Sequence, residues 1–313
     1  MKLYRDLNDL PAELRGGAVT IGNFDGVHVG HARIVAQLRT AAARVGGPAI
    51  VFTFDPHPVR LLRPMEAPPP LTWTDRKADL LGLMSVDAMI AYPTDEALLK
   101  LTPAEFFEHI IRDQLGARAI VEGPNFRFGK ARAGTIDVLR QLAEVAKISV
   151  DVVEPVVLGG EVVSSSRVRR LIAEGNLEAA DQLLTQPYRI RGMVVHGVGR
   201  GNKIGFPTAN VDAIDTLLPG PGVYAGCVRI AGTPRAAAMN IGPNPTFGEH
   251  ALKVEVHIID WQGSLYGTVL EVDFLARLRD IQRFDNVDLL KNQLHADIDG
   301  ARRVFRDRSV SDQ

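Results

Sequence analysis

The stretch that decides the fold is Ala18-Val19-Thr20-Ile21-Gly22-Asn23-Phe24-Asp25-Gly26-Val27-His28-Val29-Gly30-His31. Its first four residues form a short apolar run with β-branched members, which is typical of a buried strand. After the glycines, apolar residues recur three or four positions apart between Ile34 and Val45, which is the spacing of an amphipathic helix. The stretch therefore predicts a strand, a glycine-rich turn and a helix, in that order.

The turn has the composition of a nucleotide-phosphate site. Its glycines let a polyphosphate approach the backbone and meet the first unpaired N–H groups of the helix. The imidazoles of His28 and His31 can donate hydrogen bonds to phosphate oxygens, and this pairing favours nucleotidyl transfer. The same spacing also fits a metal-binding pair or two histidines that cap the helix, and the sequence alone leaves these alternatives open.

Length, charge and cysteine content set the broad class. At 313 residues the chain exceeds what one hydrophobic core usually serves, so two domains are expected. Lys and Arg number 36 against 37 for Asp and Glu, a balance without the positive charge of a general nucleic-acid binder. We also expect no membrane partner, because neither a secretory signal nor a membrane-length apolar span is present. The oligomeric state stays open.

The single cysteine, Cys227, excludes an internal disulfide and any multi-cysteine metal site. This usage favours a cytoplasmic protein. Because Cys227 lies in an apolar run, we expect a small buried strand residue rather than a reactive thiol.

The first half of the chain, to about residue 155, alternates short apolar runs with amphipathic stretches. Further strands are predicted at 49–54, 88–91, 119–121 and 148–153, and helices around 77–84, 106–111 and 136–145. Such alternation implies an α/β fold with a parallel sheet, helices on both faces, and ligands at the carboxyl ends of the strands.

The second half has a different rhythm. Residues 164–184 are predicted to be helical, and Gln186-Pro187 interrupts the pattern, so we place the domain boundary between 1–186 and 187–313. From 188 to 275, short β-branched segments separated by glycine and proline predict a small antiparallel β-barrel. After Asp285, which is predicted to be the N-cap, an apolar stripe from 287 to 305 predicts a closing helix.

Three more motifs follow predicted strands in the first domain, at 52–58, 123–130 and 164–169. If they converge with the histidine turn on one ligand, Asn125 can contact a base or ribose and the hydroxyls of Ser165 and Ser166 can contact phosphates. Arg169 can neutralise a leaving diphosphate with its planar guanidinium. Taken singly, the serines also fit a helix cap, and the arginine fits a solvated surface charge.

These residues predict attack of a phosphate on the α-phosphorus of ATP, with His28, His31 and Arg169 stabilising the charge that grows in the transition state. Two familiar nucleotide sites lose support. No Gly-x-x-x-x-Gly-Lys-Ser/Thr loop occurs, and no Gly-x-Gly-x-x-Gly follows a strand of the first half.

A glycine-rich stretch opens the second domain. Gly199, Gly201 and Gly205 permit close backbone approach to phosphate. Thr208 and Asn210 project to the same side of an extended chain, and both carry the hard oxygen donors that Mg²⁺ accepts. We therefore expect a magnesium-nucleotide site, although a glycine-rich hairpin ended by an asparagine fits the spacing equally well.

One later strand carries a candidate base. In Lys253–Ile258, alternation places the three aliphatic residues on one face and Glu255 and His257 on the other. Glu255 can then act as general base for phosphoryl transfer from magnesium-bound ATP. The alternative is a glutamate that is merely exposed on an alternating strand.

Together these motifs resemble, over essentially the whole chain, the prokaryotic bifunctional riboflavin kinase and FMN adenylyltransferase family, the FAD synthetases. The stretch 22–31 matches the family's Gly-x-Phe-Asp-Gly-x-His-x-Gly-His signature. In the second domain, 207–210 matches Pro-Thr-Ala-Asn, 240–247 matches Asn-Ile-Gly-x-x-Pro-Thr-Phe, and the family's catalytic glutamate falls on Glu255. Asn125, Ser166 and Ile204 depart mildly from the commonest family pattern, so Asn125 is expected to be a polar contact and not an acid or base.

The resemblance implies a Rossmann-like nucleotidyltransferase sheet followed by a riboflavin kinase-like barrel with its closing helix. It implies that riboflavin and ATP give FMN at the barrel, and that FMN and ATP give FAD and pyrophosphate at the sheet, with Mg²⁺ assisting. Nucleotide contacts are expected in the signature, at Gly22, Asn23, Phe24, Asp25 and Gly30. An enzyme with one activity, or a flavin- or nucleotide-binding regulator without catalysis, are the alternatives.

Overall fold

The computed structural model describes residues 1–197, 199–243 and 252–311. The chain forms two compact units, one of Met1–Pro68 with Trp73–Ser164 and the other of Pro69–Thr72 with Ser165–Gln313. Residues 165–186 thus group with the second unit. The sequence places the domain boundary after residue 186 and so assigns these residues to the first domain, and that boundary stays a prediction. Within the described ranges, no helix is both long and apolar enough to span a bilayer.

The first unit is built on a six-stranded sheet in which every pairing is parallel. Its strands are β1 (Lys2–Tyr4), β2 (Ala18–Ile21), β3 (Ala49–Asp55), β4 (Ala88–Pro93), β5 (Ala119–Glu122) and β6 (Ser149–Val152), in the spatial order β1-β4-β3-β2-β5-β6. This confirms the predicted parallel sheet. The sequence prediction missed β1, because three residues are too few to show a periodicity.

Helices cover both faces of this sheet, as predicted. They are α1 (Val29–Val45), α2 (Pro58–Leu62), α3 (Thr74–Leu83), α4 (Glu96–Lys100), α5 (Pro103–Phe106), which continues as a π-helix (Phe107–Gln114), and α6 (Ile136–Ala146). Alternate residues of the strands β1 to β5 face two separate cores. For example, Val51 packs with the residues of α1 and α3, whereas Phe52 packs with the π-helix and α6. A two-stranded hairpin of β7 (Val157–Leu158) and β8 (Glu161–Val162) ends the unit.

The second unit is a closed antiparallel barrel, which confirms the prediction for the second half. Its strands are β9 (Arg189–Val195), β10 (Ala209–Asp212), β11 (Gly222–Ile230), β12 (Thr233–Gly242), β13 (Lys253–Ile258) and β14 (Val269–Arg279), in the order β10-β13-β12-β11-β14-β9. Pairing of β9 with β10 closes the barrel. The unit also contains α7 (Ser165–Ala173), α8 (Leu177–Asp181), α9 (Arg200–Lys203) and α10 (Val287–Ser311).

The closing helix α10 packs on the outside of the barrel. Small side chains at the contact, Ala225 and Ala301 among them, let the helix approach the strands closely. Its N-cap is Asn286 rather than the predicted Asp285, since Asn286 Oδ1 accepts a hydrogen bond from the Leu289 N–H at 2.9 Å. The helix begins at Val287, so the capping position falls one residue later than predicted.

Candidate active sites

The first candidate site lies where the parallel sheet opens between β2 and β5. The β2–β3 ladder continues to Ile21, whereas the β2–β5 ladder ends at Val19. Beyond that point, Glu122 Oε1 accepts the Ile21 N–H at 2.6 Å, so a side chain replaces the missing backbone acceptor. Along the chain, β3 and β4 are added on one side of β2, and β5 and β6 on the other. Ligands of open α/β sheets bind where the strand order reverses in this way.

Burial raises the pKa of Glu122 well above its ordinary value. Between the ordinary pKa and the raised pKa, the native state keeps a proton that the unfolded chain has released. The free energy of unfolding therefore falls as pH rises through this window.

Glu122→Gln keeps the hydrogen-bond acceptor for the Ile21 N–H and removes this pH dependence. The free energy of unfolding of the variant, compared with that of the wild type, should increase by about 1.4 kcal/mol for each pH unit across that window. Denaturant unfolding at pH 5 and pH 8 measures this, and parallel pH dependences would contradict it.

The turn that follows β2 is held in an unusual backbone conformation. Phe24, Gly26 and Val27 all have positive φ, at 46°, 81° and 41°. A β-branched residue with positive φ is strained, and Val27 is fully buried, so packing supports the strain. The Thr53 hydroxyl donates to the Asn23 carbonyl at 3.2 Å and ties the turn to β3. The result is a turn fixed in one conformation before any ligand arrives.

His28 and His31 form a reciprocal cap on α1. Nδ1 of His28 accepts the His31 N–H, and Nδ1 of His31 accepts the His28 N–H, both at 3.3 Å. The two rings stack with their centroids 3.7 Å apart. Because each Nδ1 is an acceptor, each neutral ring carries its proton on Nε2. The helix-capping alternative is therefore correct for Nδ1, and each ring still has an Nε2–H donor.

The pair is electrically neutral near pH 7. Burial lowers the pKa of His28 to about 4, against smaller opposing effects of a backbone hydrogen bond and Asp25. Burial also lowers the pKa of His31 well below its usual value, and the neighbouring His28 and Lys77 lower it further. Neutral imidazoles keep both Nδ1 lone pairs available, so the cap persists at neutral pH.

Gly30 leaves the space that the His28 ring occupies. A Cβ at this position would lie 3.0 Å from two atoms of that ring, closer than most real contacts. A side chain at position 30 would therefore displace the imidazole. This is a physical reason for the glycine between the two histidines of the signature.

The other predicted residues of this site divide between the units. Gly22, Phe24 and Asp25 belong to the histidine turn, and Asn125 is exposed in the loop that leaves β5 at the same end of the sheet. Ser165 and Ser166 begin α7 in the second unit. On α7, Arg169 Nε donates to the Pro69 carbonyl at 3.0 Å. Convergence of these α7 residues with the histidines stays a prediction.

The second candidate site is a cavity between the outer wall of the barrel and α10. One cross-strand row supplies much of its wall, running through Asn210, Glu255, Asn240, Val223 and Arg279. Glu255 lies directly opposite Asn210 on one neighbouring strand and opposite Asn240 on the other. The antiparallel register thus brings the predicted base and a predicted metal ligand together.

The glycine-rich stretch forms one edge of this cavity. It connects the antiparallel strands β9 and β10, so the hairpin alternative is correct for the pairing, and the connection contains the short helix α9. Val198 lies outside the described residues. Gly199 and Gly201 line the cavity, and Gly205 has a φ of 92°. A Cβ on Gly201 would lie 2.3 Å from the Phe206 carbonyl oxygen, so the chain passes there only without a side chain.

The predicted metal ligands, Thr208 and Asn210, line the same cavity as Glu255. A Cβ at Gly197 would lie 2.1 Å from Asn210 Nδ2, so the amide packs directly on glycine backbone. Among the described residues, no cluster of three or more His, Cys, Asp or Glu side chains is placed to hold a metal. Two neutral oxygen donors beside one carboxylate suit an ion that arrives with nucleotide phosphates, since Mg²⁺ in such sites takes few protein ligands.

His257 fixes the chain just before Thr208. Its Nδ1 lies 2.8 Å from the Pro207 carbonyl oxygen, which makes Nδ1 the protonated nitrogen of that ring. The neighbouring Phe206 makes edge contacts with the rings of His257 and His295. These contacts connect β13 and α10 to the segment that carries the metal-ligand candidates.

An ion pair that the sequence prediction missed joins α10 to the barrel at the cavity. Arg279 donates to both carboxylate oxygens of Asp297, at 2.9 Å from Nε and 2.7 Å from Nη2. Gln293 donates to the same carboxylate at 2.9 Å. The sequence did contain a signal for this pair, since Asp297 follows Leu294 by three residues and so places a carboxylate on the apolar face of the helix.

Of the motif at 240–247, residues 244–247 lie outside the described residues.

Comparisons with known proteins cover both units. The family model described as FAD synthetase matches residues 10–167, and the one described as riboflavin kinase matches residues 184–305. A bifunctional riboflavin kinase/FMN adenylyltransferase of Pseudomonas fluorescens is 38% identical over 305 residues, which are 97% of this chain and 98% of the relative. The protein of the same name from Escherichia coli K12 is 35% identical over 309 residues, with the same coverage.

A solved structure is similar over almost the whole length. The crystal structure of a macrolide-efflux protein from Streptococcus pneumoniae has a TM-score of 0.84 and 31% identity, and the match covers 96% of this chain and 98% of that one. The secondary structure of both units is therefore similar to that of an experimentally determined structure.

Proposed function

This chain belongs to the family of bifunctional riboflavin kinases/FMN adenylyltransferases, and we propose on that premise how its residues divide the work. It phosphorylates riboflavin with ATP to give FMN, and it adenylylates FMN with ATP to give FAD and pyrophosphate. The barrel unit corresponds to the riboflavin kinase match and the sheet unit to the FAD synthetase match.

Glu255 is the general base of riboflavin phosphorylation. The observation that carries this role is its position in the cross-strand row, directly between Asn210 and Asn240 on the cavity wall. Its carboxylate takes the proton of the riboflavin 5′-hydroxyl as that oxygen attacks the γ-phosphorus of ATP. The bond from the γ-phosphorus to the bridging oxygen breaks, and ADP leaves.

Thr208 and Asn210 would hold Mg²⁺ through their side-chain oxygens. When bound, the ion supplies positive charge that offsets the charge of the ATP phosphates. The backbone at Gly199 and Gly201 lines the same cavity without side chains. We assign this glycine edge to the phosphates, because backbone without side chains lets its N–H groups approach phosphate oxygens closely.

The opposite wall of the cavity is apolar and suits a flavin ring. Ile281, Phe284, Leu290 and Leu294 line it, from the segment before α10 and from the first turns of that helix. Binding sites for ring systems combine such apolar walls with a few oriented polar groups. The Arg279–Asp297 ion pair keeps this wall in place by joining α10 to β14.

In adenylylation, a phosphate oxygen of FMN attacks the α-phosphorus of ATP and pyrophosphate leaves. The Nε2–H groups of His28 and His31 donate to phosphate oxygens whose charge grows in the transition state. Because the rings are neutral and already ordered by the reciprocal cap, they need no reorganisation during the reaction. The N-terminal end of α1 adds its positive dipole to the same site.

The remaining contacts are proposed from the sequence. Asn125 contacts the base or ribose, Ser165 and Ser166 contact phosphates, and Arg169 neutralises the leaving pyrophosphate. We also propose that the enzyme acts in the cytoplasm, since its one thiol, Cys227, is buried and both reactions consume ATP.

A product time course tests this division. Purified protein is incubated with riboflavin, ATP and Mg²⁺, and the flavins are separated by chromatography. FMN should rise first and FAD should follow, and omission of Mg²⁺ with added chelator should suppress both products. Unchanged FMN formation under chelation would refute the magnesium assignment, and FAD formed without prior FMN would refute the order of the two reactions.

A further inference from the structure

The first unit buries a cation beside the histidine pair that the steps above do not use. Lys77, on α3, is only 8% exposed, whereas the side chain of Lys100 on α4 is 70% exposed. Burial of an ammonium group costs free energy even when it is paired, and an apolar side chain of similar size would cost less. Packing alone therefore does not account for a lysine at this position.

A chain of contacts leads from this ammonium to the histidine turn. Lys77 Nζ lies 3.5 Å from the Thr53 hydroxyl oxygen. Thr53 is fully buried at the end of β3, and its hydroxyl donates to the Asn23 carbonyl at 3.2 Å. Asn23 belongs to the turn that ends at His28. Lys77 therefore contacts, through Thr53, the segment that orients both imidazoles.

Two carboxylates act on the charge of Lys77. Asp25 in the turn and Asp55 at the end of β3 attract its charge. The Asp55 carboxylate also accepts a hydrogen bond from the Thr74 hydroxyl at 2.6 Å and forms an ion pair with Arg5 at 3.4 Å. Its negative charge is therefore shared among three partners. Burial, the largest effect, lowers the pKa of Lys77, and the two carboxylates oppose this.

The remaining ionisable groups nearby are on α1, α3 and the strands under α3. From α1, His28 and His31 face the turn, and the positive charge of Lys77 is one cause of the lowered pKa of His31. On α3 itself, Arg76 is also buried. The strands β1 and β4, which contact α3, pack Tyr4 and Tyr92 with the core on the opposite face of the sheet.

We propose that Lys77 is a positioning residue of the adenylyl-transfer site: its ammonium holds the Thr53 hydroxyl that ties the turn to β3, and that turn orients the His28–His31 pair. Without the ammonium, the turn loses a buried contact and the two rings lose part of the support that fixes their orientation. This inference rests on the proposed role of the two histidines in phosphate binding.

The test compares Lys77→Gln with Lys77→Arg in the full chain. Glutamine removes the ammonium and shortens the side chain, whereas arginine keeps a cationic donor. Lys100→Gln removes the same charge from an exposed ion pair of the same unit and is the matched control. The kcat and KM of FMN adenylylation are measured for each variant, and riboflavin phosphorylation by the same samples reports on the state of the barrel unit.

For Lys77→Gln we expect a fall of about tenfold in adenylylation kcat with the KM values for FMN and ATP unchanged, because a misoriented donor weakens the transition state and not the ground state. Riboflavin phosphorylation should stay unchanged. Lys77→Arg should keep the wild-type kcat, and Lys100→Gln should match the wild type in every measurement.

A wild-type kcat in Lys77→Gln overturns the proposal, and so does a loss that appears only as a higher KM, because a displaced transition-state donor lowers kcat and kcat/KM alike. If Lys77→Gln does not fold, Lys77→Arg decides: loss of the wild-type kcat there overturns the proposal, and its retention supports it. Failure of the proposed histidine function is distinguishable, since His28→Asn would then adenylylate FMN as fast as the wild type.

Discussion

Glu255→Gln is expected to abolish FMN formation from riboflavin, while the same protein still converts added FMN to FAD. Glutamine has the shape of glutamate, but its amide cannot take the proton of the 5′-hydroxyl. Loss of a general base lowers a rate on the order of 10²–10⁴-fold. Because Glu255 lies in the barrel unit, the turnover of FMN at the sheet unit should be that of the wild type.

The matched control is Glu271→Gln. Glu271 is also a barrel strand residue, and its carboxylate pairs with Arg189 away from the residues that line the cavity. Steady-state phosphorylation and adenylylation are measured separately for each variant. Undiminished phosphorylation by Glu255→Gln would remove Glu255 from its role, and an equal loss in Glu271→Gln would show that the effect is not specific to the cavity.

Replacing His28 separates its two nitrogens. His28→Asn keeps an acceptor near the position of Nδ1, and asparagine is among the best N-cap residues, so α1 should stay capped. The variant loses the Nε2–H donor. We expect FMN adenylylation to fall on the order of 10²–10³-fold, the usual effect of removing one transition-state donor, with riboflavin phosphorylation unchanged.

His28→Gln is the complementary variant, since its amide nitrogen reaches toward the position of Nε2 while the cap acceptor is lost. It should retain more adenylylation than His28→Asn and unfold at a lower temperature. His28→Ala loses both groups and should combine both defects. If His28→Asn adenylylates FMN as fast as the wild type, the imidazole acts only as a cap and the phosphate-binding role is wrong.

The fold was predictable because strong local patterns agree with the tertiary structure. The apolar run at Ala18–Ile21, the helical spacing after it and the alternation in Lys253–Ile258 each determine one element and its buried face. The missed features depend on distant partners. β1 is a strand only because it pairs with β4, and the exposed hairpin of β7 and β8 has two-residue strands that leave no periodic signal.

The sequence predicted which residues belong to the candidate sites better than it predicted the geometry of their side chains. The Gly-rich turn and Glu255 stand out by composition and alternation. The reciprocal histidine cap, by contrast, requires ring positions that spacing does not reveal. The sequence prediction missed Glu122, which ends an apolar strand, because its partner Ile21 is distant in sequence. It missed Asp297, which lies within an apolar helix face, because its partner Arg279 is on another element.

The central claim is that two separate sites each carry one reaction, and mixing two inactivated proteins tests it most directly. Glu255→Gln and His28→Asn are combined with riboflavin, ATP and Mg²⁺, and FAD is followed by chromatography. Neither variant alone should form FAD from riboflavin at an appreciable rate. The mixture should form FMN at the barrel of one protein and FAD at the sheet unit of the other, after a lag that shortens as total protein rises. Absence of FAD from the mixture, although one variant makes FMN and the other adenylylates added FMN, would contradict the assignment of the two reactions to independent sites.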